Sequence, residues 1–329
     1  MLSLAKGDEI ATVTAKTSLK KITKGVEGVP PSKRFNIFIY GKDKLDDLED
    51  EPPHLEVDEP IELLDDNFYR QIPRSDKKKL MTKLSADKYP FSSIGETDLL
   101  YDYQELANEY IDTVLRKQLH FDTSEHVFPI PQLYSERLYI SAPSGAGKSF
   151  FTGEYIEQIR AKFGKKRQIY IFSRVDEDKA LDRFPKKSVT RIPLEAKLWS
   201  EVQFSPEDFK KGICVFDDID TIQDRVLAKK VQLLRGNMLE TGRHSEITVI
   251  STSHQIQNFM ETRQLINEAQ YVVLFPRASS IYHISNFLEK YLGLNSYQIK
   301  QIYKLPTRWI FVSKQYPRYL LYQHGAMLL

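Results

Sequence analysis

The chain has 329 residues, so one large domain or a medium domain with a smaller one is expected. The net charge of the whole chain, +2, does not indicate nucleic-acid binding, so any DNA contact must be made by a local basic patch. Apolar residues make up 41% of the chain, but no run is long enough to span a bilayer, and we expect no signal peptide at residues 1–6. The single cysteine, Cys214, excludes an intramolecular disulfide and fits a reducing compartment.

Residues 1–125 are interpreted as an N-terminal accessory region. The polar stretch 1–33 predicts a loosely ordered arm, and residues 34–40 alternate like a strand. Half of residues 43–66 are Asp or Glu, which indicates a solvated acidic loop or, alternatively, a segment that shields a basic surface or docks a partner. The apolar spacing over residues 98–119 predicts a helix.

The stretch Ala142–Ser149, called the phosphate loop below, departs by one residue from the pattern Gly-x-x-x-x-Gly-Lys-Ser/Thr. Residues 137–140 before it alternate like a strand, and residues 150–163 after it predict a helix. The apolar residues at helical spacing are Phe151, Tyr155 and Ile159. Strand, glycine loop and helix form the setting in which this pattern binds phosphate.

The phosphate loop predicts a site for ATP and Mg²⁺. Backbone N–H groups and the positive end of the helix dipole attract the phosphates, and Gly145 and Gly147 let the backbone approach them. Lys148 is expected to contact the β- and γ-phosphates, and the Ser149 hydroxyl to bind Mg²⁺. Ala142, at the first glycine position, requires a negative φ. The predicted nucleotide-binding residues are Ser144, Gly145, Ala146, Gly147, Lys148, Ser149 and Phe150.

Residues 126–329 alternate between strands and helices, which predicts an α/β domain with a mainly parallel sheet flanked by helices. The predicted strands are 168–173, 188–194, 212–216, 246–250, 271–275, 308–312 and 319–322. The predicted helices are 224–239, 263–269, 281–292 and 297–303. We therefore place a domain boundary near residue 125.

Apolar residues followed by two acids, at 213–218, form the Walker B pattern. Ligands bind at the carboxyl edge of open α/β sheets, so both acids should lie beside the phosphate loop. Asp217 is expected to hold Mg²⁺ together with Ser149, and Asp218 to orient or deprotonate the attacking water. Without the phosphate loop, the two acids would equally suit an ordinary turn at a strand end.

The strand predicted at 246–250 suggests an additional-strand P-loop NTPase core. In that class, a further strand lies between the phosphate-loop strand and the Walker B strand and carries a polar sensor at its end. The sensor candidates are Ser251, Thr252, Ser253 and Gln255. Gln255 is the first choice, because its amide can bond both the γ-phosphate and the attacking water. The alternative is an ordinary polar loop.

Two sets of basic residues are open to two interpretations. Arg243 is either a solvated loop charge or an arginine finger that acts on the γ-phosphate of a neighbouring subunit. Lys229, Lys230 and Arg235 lie on the predicted polar side of one helix, and form either a solvated face or a stripe that tracks DNA. We expected no arginine of the same subunit near the γ-phosphate.

With these motifs, residues 137–275 resemble the genome-packaging ATPases of large nucleocytoplasmic DNA viruses, the poxvirus-type branch of the FtsK–HerA superfamily. The resemblance rests on Ser-Gly-Ala-Gly-Lys-Ser at 144–149, Val-Phe-Asp-Asp-Ile at 215–219, Gly-Arg-His at 242–244 and the polar strand end at 250–255.

The resemblance implies a ring-forming ATPase that moves double-stranded DNA into a capsid. It also implies capsid or other virion proteins as partners, and a location in the host cytoplasm or the virion. The family's Walker roles carry over to Lys148, Ser149, Asp217 and Asp218, and its sensor role to Gln255. Two alternatives stay open from the residues themselves, namely a P-loop kinase and a slow nucleotide-dependent switch or scaffold in virion assembly.

Overall fold

The computed structural model describes residues 2–3, 7–15, 34–39, 118–121, 125–256 and 262–329. The chain divides into two compact units, one of residues 1–41 and 119–329 and the other of residues 42–118. The acidic loop at 43–66 lies outside the described residues. So does the helix expected at 98–119, except for its last two residues, which begin a strand instead.

A ten-stranded sheet dominates the described part of the chain. Its strands are β4 (Gln118–His120), β6 (Arg137–Ser141), β7 (Ile169–Ser173), β8 (Val189–Pro193), β9 (Ile213–Phe216), β10 (Thr248–Ser253), β11 (Tyr271–Leu274), β12 (Ile310–Ser313), β13 (Tyr319–Tyr322) and β14 (Gly325–Leu328). Their order is β4-β14-β13-β12-β11-β6-β10-β9-β7-β8. The stretch from β11 to β8 is parallel throughout, which confirms the predicted α/β class.

The additional strand is where the sequence predicted it. β10 pairs in parallel with β6 on one side and with β9 on the other, so it separates the phosphate-loop strand from the Walker B strand. It begins at Thr248 rather than at residue 246, because Glu246 has a positive φ of 56° that no strand accommodates. It continues to Ser253, which pairs with Ser141.

An antiparallel extension follows the parallel strands. β11 pairs with β12, β12 with β13 and β13 with β14, so the expected terminal pair of strands is part of a longer series. β14 was not predicted, because this four-residue strand begins at a glycine and lacks a polar–apolar alternation.

A second, four-stranded sheet corrects the prediction of a loosely ordered arm for residues 2–3 and 8–15, whereas residues 16–33 of that predicted arm lie outside the described residues. Its strands are β1 (Leu2–Ser3), β2 (Asp8–Ala15), β3 (Arg34–Ile39) and β5 (Glu125–Pro129), in the order β1-β3-β2-β5. β2 pairs antiparallel with β3 and with β5. Local composition did not reveal this strand, because the strands that pair with it are distant in sequence. The described N-terminal strands thus belong to the unit that holds the phosphate loop. The boundary near residue 125 otherwise stays a prediction.

Helices cover both faces of the large sheet. They are α1 (Lys148–Phe163), α2 (Ala196–Glu201), α3 (Arg225–Thr241), α4 (Arg263–Glu268), α5 (Ile281–Leu292) and α6 (Ser296–Lys304). Asp224 caps α3 by accepting the N–H groups of Val226 and Leu227. Arg235 of α3 is buried, so the prediction that it shares a polar face with Lys229 and Lys230 is wrong. No helix of the described part is long and apolar enough to cross a bilayer.

The core lies on both faces of the sheet, because side chains alternate along each strand. In β6, Leu138 and Ile140 pack on the face covered by α1, whereas Tyr139 packs on the face covered by α3 and α5. The small sheet adds Ile10 and Val13 to the α1 side. It therefore lies beside the helix that begins at the phosphate loop.

Candidate nucleotide-binding site

The phosphate loop has the backbone that phosphate binding requires. Gly145 and Gly147 have φ values of +76° and +113°, which an L side chain rarely adopts, and Gly147 is the N-cap of α1. Ala142 has no positive φ and is fully buried, so its methyl group fits at the first glycine position. Its N–H donates to the carbonyl oxygen of Ser253 at 3.1 Å, which ties the loop to the end of β10.

Lys148 points back into the site. Its Nζ donates to the carbonyl oxygen of Ala142 at 2.8 Å and lies 3.3 Å from Asp218 Oδ2 and 3.2 Å from His254 Nδ1. The side chain is only 6% exposed. A buried ammonium needs such partners, because leaving it unpaired would cost several kcal/mol, on the order of 3–5.

Asp217 and Asp218 lie at the carboxyl end of β9, as the Walker B pattern predicted. Ser173 donates to Asp217 Oδ2 at 3.0 Å. The Thr252 hydroxyl lies 3.0 Å from Asp217 Oδ1 and 2.9 Å from Asp218 Oδ1, and it accepts the N–H of Asp218. Burial and then the charge of Asp218 raise the pKa of Asp217, while the hydrogen bonds from Ser173 and Thr252 lower it.

Asp218 adopts a left-handed backbone conformation, with φ 47° and ψ 40°. Thr221 holds this turn, because its N–H and its hydroxyl donate to the carbonyl oxygen of Asp218 at 3.1 and 2.8 Å. Asp tolerates the left-handed region better than most residues. The turn directs the Asp218 carboxylate toward Lys148 and His254 rather than along the strand.

The structure brings His254 into the site, which the sequence analysis did not predict. Its Nε2 lies 3.0 Å from Asp218 Oδ2 while its Nδ1 faces Lys148. Among the four predicted sensor candidates, Thr252 contacts both aspartates and Ser253 donates to Asp220 at 2.9 Å. Ser251 is buried, with no described hydrogen-bond partner for its hydroxyl.

Gln255 is held after the end of β10 by its backbone, through hydrogen bonds with Tyr139 and Ser253. Its side chain is exposed, and its carbonyl oxygen accepts the hydroxyl of Tyr139 at 2.8 Å. The sequence did contain a signal for His254, because a histidine directly after the strand beside the Walker B strand is a candidate to transfer a proton or to bind phosphate. The periodicity of β10 could not decide between two residues beyond the strand end.

Arg243 lies at the amino ends of the parallel strands, whereas the phosphate loop lies at their carboxyl ends. It belongs to the turn between α3 and the start of β10, and its charge acts on Arg137, at the start of β6. Arg308 lies at the phosphate loop instead, with Nη2 3.5 Å from the carbonyl oxygen of Ala146. The expectation of no arginine of the same subunit near the γ-phosphate stays a prediction, because the described contact of Arg308 is with Ala146 and not with Lys148 or Asp218.

The other predicted nucleotide-binding residues follow the loop outward. Ser144 and Gly145 are exposed, Ser149 is half-buried in the first turn of α1, and Phe150 is 64% exposed. The Ser149 hydroxyl and the Asp217 carboxylate are hard oxygen donors of the kind Mg²⁺ prefers. Asp217 is already fixed by two hydroxyls, so the donor set fits the cation.

A parallel sheet with a glycine loop entering α1, and an additional strand beside the Walker B strand, define the fold of a P-loop NTPase. Sequence comparison finds the uncharacterized protein V3 of Sputnik virophage, 36% identical over 204 residues, which cover 61% of this chain and 80% of that protein. The chain belongs to the same family as V3. No family model matches it.

Comparison with solved structures finds the genome packaging NTPase B204 of Sulfolobus turreted icosahedral virus 2 bound to AMPPCP. It is 13% identical with a TM-score of 0.36, over 55% of this chain and 93% of that one. The cytoplasmic domain of the type VII secretion ATPase EccC of Thermomonospora curvata is 12% identical with a TM-score of 0.40, over 65% and 29% of the two chains.

Proposed function

We propose that this chain is an ATP-hydrolysing motor that translocates or packages double-stranded viral DNA. The observation that supports hydrolysis is the cluster of Lys148, Asp218 and His254 at the phosphate loop, with all three side chains within 3.3 Å of a neighbour in the cluster. The DNA-moving part rests on the sequence resemblance described above. Its viral context is supported by the family shared with a virophage protein.

Lys148 would exchange partners when ATP binds. A γ-phosphate carries more negative charge than one carboxylate, so it would draw the ammonium away from Asp218. The Asp218 carboxylate would then be free to accept a proton from the attacking water. Without nucleotide, the ion pair keeps that carboxylate occupied.

Thr252 and His254 would hold Asp218 in position for this step. The Thr252 hydroxyl fixes one carboxylate oxygen, and His254 contacts the other. Ser149 and Asp217 are the residues that would hold Mg²⁺. When bound, the ion would neutralise charge on the β- and γ-phosphates. A P-loop kinase would instead direct the γ-phosphate to a second substrate.

Assembly into a homo-oligomeric ring belongs to the same proposal. Arg243 would act on the next subunit's nucleotide, and capsid or other virion proteins would be further partners. The place of action would be the host cytoplasm or the virion.

The deciding experiment is the steady-state ATPase rate of the full chain with and without long duplex DNA. A motor predicts stimulation that grows with DNA length, because each hydrolysis event is coupled to movement. Phosphate transfer to an added acceptor would favour the kinase. Slow turnover that DNA does not change would favour the switch or scaffold and would contradict the motor.

A further inference from the structure

A cavity of about 480 Å³ adjoins the phosphate loop on the side away from Asp218. Its walls come from α1, from β2 and β5 of the small sheet, and from the antiparallel extension. Its lining includes Thr12, Thr14, Phe150, Phe275, Arg308 and Gln323. Ligand cavities of this class measure about 300–1,000 Å³.

We propose that this cavity binds the base and ribose of the nucleotide, so that the small N-terminal sheet forms part of the nucleotide site. The inference rests on the proposed NTPase function and names a part of the site that no motif of the chain predicts. A nucleotide with its phosphates on the loop must continue past the loop. The cavity begins at Ala146 and Gly147 of that loop.

The direction of the nucleotide follows from α1. Phe150, Glu154 and Gln158 recur every four residues from the loop, so they share one side of the helix, and all three line the cavity. Lys148 is turned the other way, toward Asp218 and His254. The hydrolytic end of a bound nucleotide therefore lies on one side of the loop and the cavity on the other.

The cavity has aromatic surfaces suited to a base. Trp309 packs edge-on against Phe128 and Phe151, with ring centroids 5.8 and 5.0 Å apart. Phe150 is 64% exposed, an unusual state for a large aromatic side chain. Any nucleobase can stack on an aromatic face.

Polar groups at the rim are suited to a ribose. Thr12 and Thr14 are two residues apart on β2, so both hydroxyls lie on the same face of the small sheet. Gln323 accepts the N–H of Arg308 through Oε1 at 2.7 Å, and its amide nitrogen has no partner among the described residues. Arg308 itself reaches the loop at the carbonyl oxygen of Ala146.

Tryptophan fluorescence tests the cavity directly, because the chain has only two tryptophans, Trp199 and Trp309. In a Trp199→Phe background, all tryptophan emission comes from the cavity wall. We expect ADP to change that emission and inorganic tripolyphosphate, which fills only the phosphate loop, to leave it unchanged. An equal change with tripolyphosphate would overturn the proposal.

Two substitutions give an independent measurement by calorimetry. Thr14→Tyr fills the cavity and should weaken ADP binding about 10-fold or more. Phe150→Ala changes an exposed side chain, so the protein should still fold, and it should weaken ADP binding about 5-fold. Neither should change tripolyphosphate binding by more than about 2-fold, because neither side chain contacts the phosphates in the proposed arrangement. Thr190→Tyr on the exposed edge strand β8 is the matched control and should bind ADP as the parent does.

The outcomes separate this inference from the proposed function. If ADP binds with these signatures but no ATP is hydrolysed, the cavity assignment stands and the motor fails. If tripolyphosphate binds as tightly as ADP, or if neither binds, the cavity assignment is wrong. Normal ADP binding by folded Phe150→Ala and Thr14→Tyr would also reject it.

Discussion

Lys148 is the residue on which the site depends, because its ammonium is shared among three groups of the protein. It contacts the Ala142 carbonyl oxygen, Asp218 and His254 within 2.8–3.3 Å. Two of these contacts are to side chains that the proposed mechanism uses. In the proposed mechanism, nucleotide binding and the release of Asp218 are therefore one event.

Lys148→Ala is expected to abolish hydrolysis and to weaken ATP binding by about 10- to 100-fold, the size of a lost charge-assisted hydrogen bond. The variant removes the ammonium aimed at the β- and γ-phosphates. ATPase rate and ATP titration measure the two effects. Lys290→Ala is the control, since Lys290 is exposed and pairs only with its neighbour Glu289 among the described contacts. A Lys148→Ala protein with parental activity would move the site elsewhere.

His254 and Gln255 compete for the sensor role, and two substitutions separate them. His254→Ala should lower kcat by about 10-fold or more with a smaller change in KM, because it removes a side chain that holds Asp218. Gln255→Ala should leave kcat within about 2-fold, since the amide is exposed and its backbone bonds remain. The opposite order of effects would restore Gln255 as the sensor.

At the scale of elements, the start of β6 is held by Glu136. This carboxyl is fully buried, accepts the hydroxyl of Tyr155 from α1 at 2.6 Å and accepts the N–H of Leu133 at 2.8 Å. Burial raises its pKa from 4.5 to about 7, although the hydrogen bonds and Lys162 oppose the shift. Glu136 thus joins the phosphate-loop strand to the phosphate-loop helix.

The stability of the fold should fall as the pH rises through the window from 4.5 to about 7. In that window the folded state keeps a proton on Glu136 that the unfolded state has lost, so the stabilisation is complete below pH 4.5 and lost above 7. The whole effect is about 3 kcal/mol, at about 1.4 kcal/mol per pKa unit. Glu136→Gln, neutral at every pH, should remove it.

Urea unfolding at pH 5 and pH 8 measures this difference. Other groups titrate equally in both proteins, so the informative quantity is the parent's loss of stability minus that of Glu136→Gln. An identical loss in the two proteins would show that Glu136 keeps an ordinary pKa.

At the scale of the whole molecule, Arg243 and the phosphate loop lie at opposite ends of the parallel strands. Arg243 precedes the start of β10, whereas the loop meets its end. In a head-to-tail ring, the surface of one subunit that carries Arg243 can contact the surface of the next subunit that carries the phosphate loop. The finger, if Arg243 is one, therefore acts between subunits.

Mixed subunits test this arrangement. Arg243→Ala should bind ATP normally but hydrolyse it about 10³-fold more slowly, and adding Lys148→Ala subunits should restore part of the rate. The restored interfaces combine an intact phosphate loop with an intact Arg243. The doubly substituted Lys148→Ala, Arg243→Ala chain is the control and should restore nothing. A co-assembled mixture that stays inactive would remove the finger from the proposal.

The sequence by itself determined the elements whose causes are local. The phosphate loop, the Walker B strand and the apolar stripe of α3 depend on residues within a few positions of one another. Glycines at positive φ and a four-residue apolar period leave a mark in any sequence. The position of β10 between β6 and β9 was also predictable, because the order of strands and polar strand ends identified the class.

Only the tertiary structure decided the features that depend on distant partners. β2 became a strand because β3 and β5 pair with it across large separations in sequence. The end of β10 placed His254, and not the Gln255 side chain, beside Lys148 and Asp218. The antiparallel extension brought Arg308 to the loop while the start of β10 kept Arg243 away. Each outcome depends on how the chain packs, since pairing and packing energies between remote segments leave no local pattern.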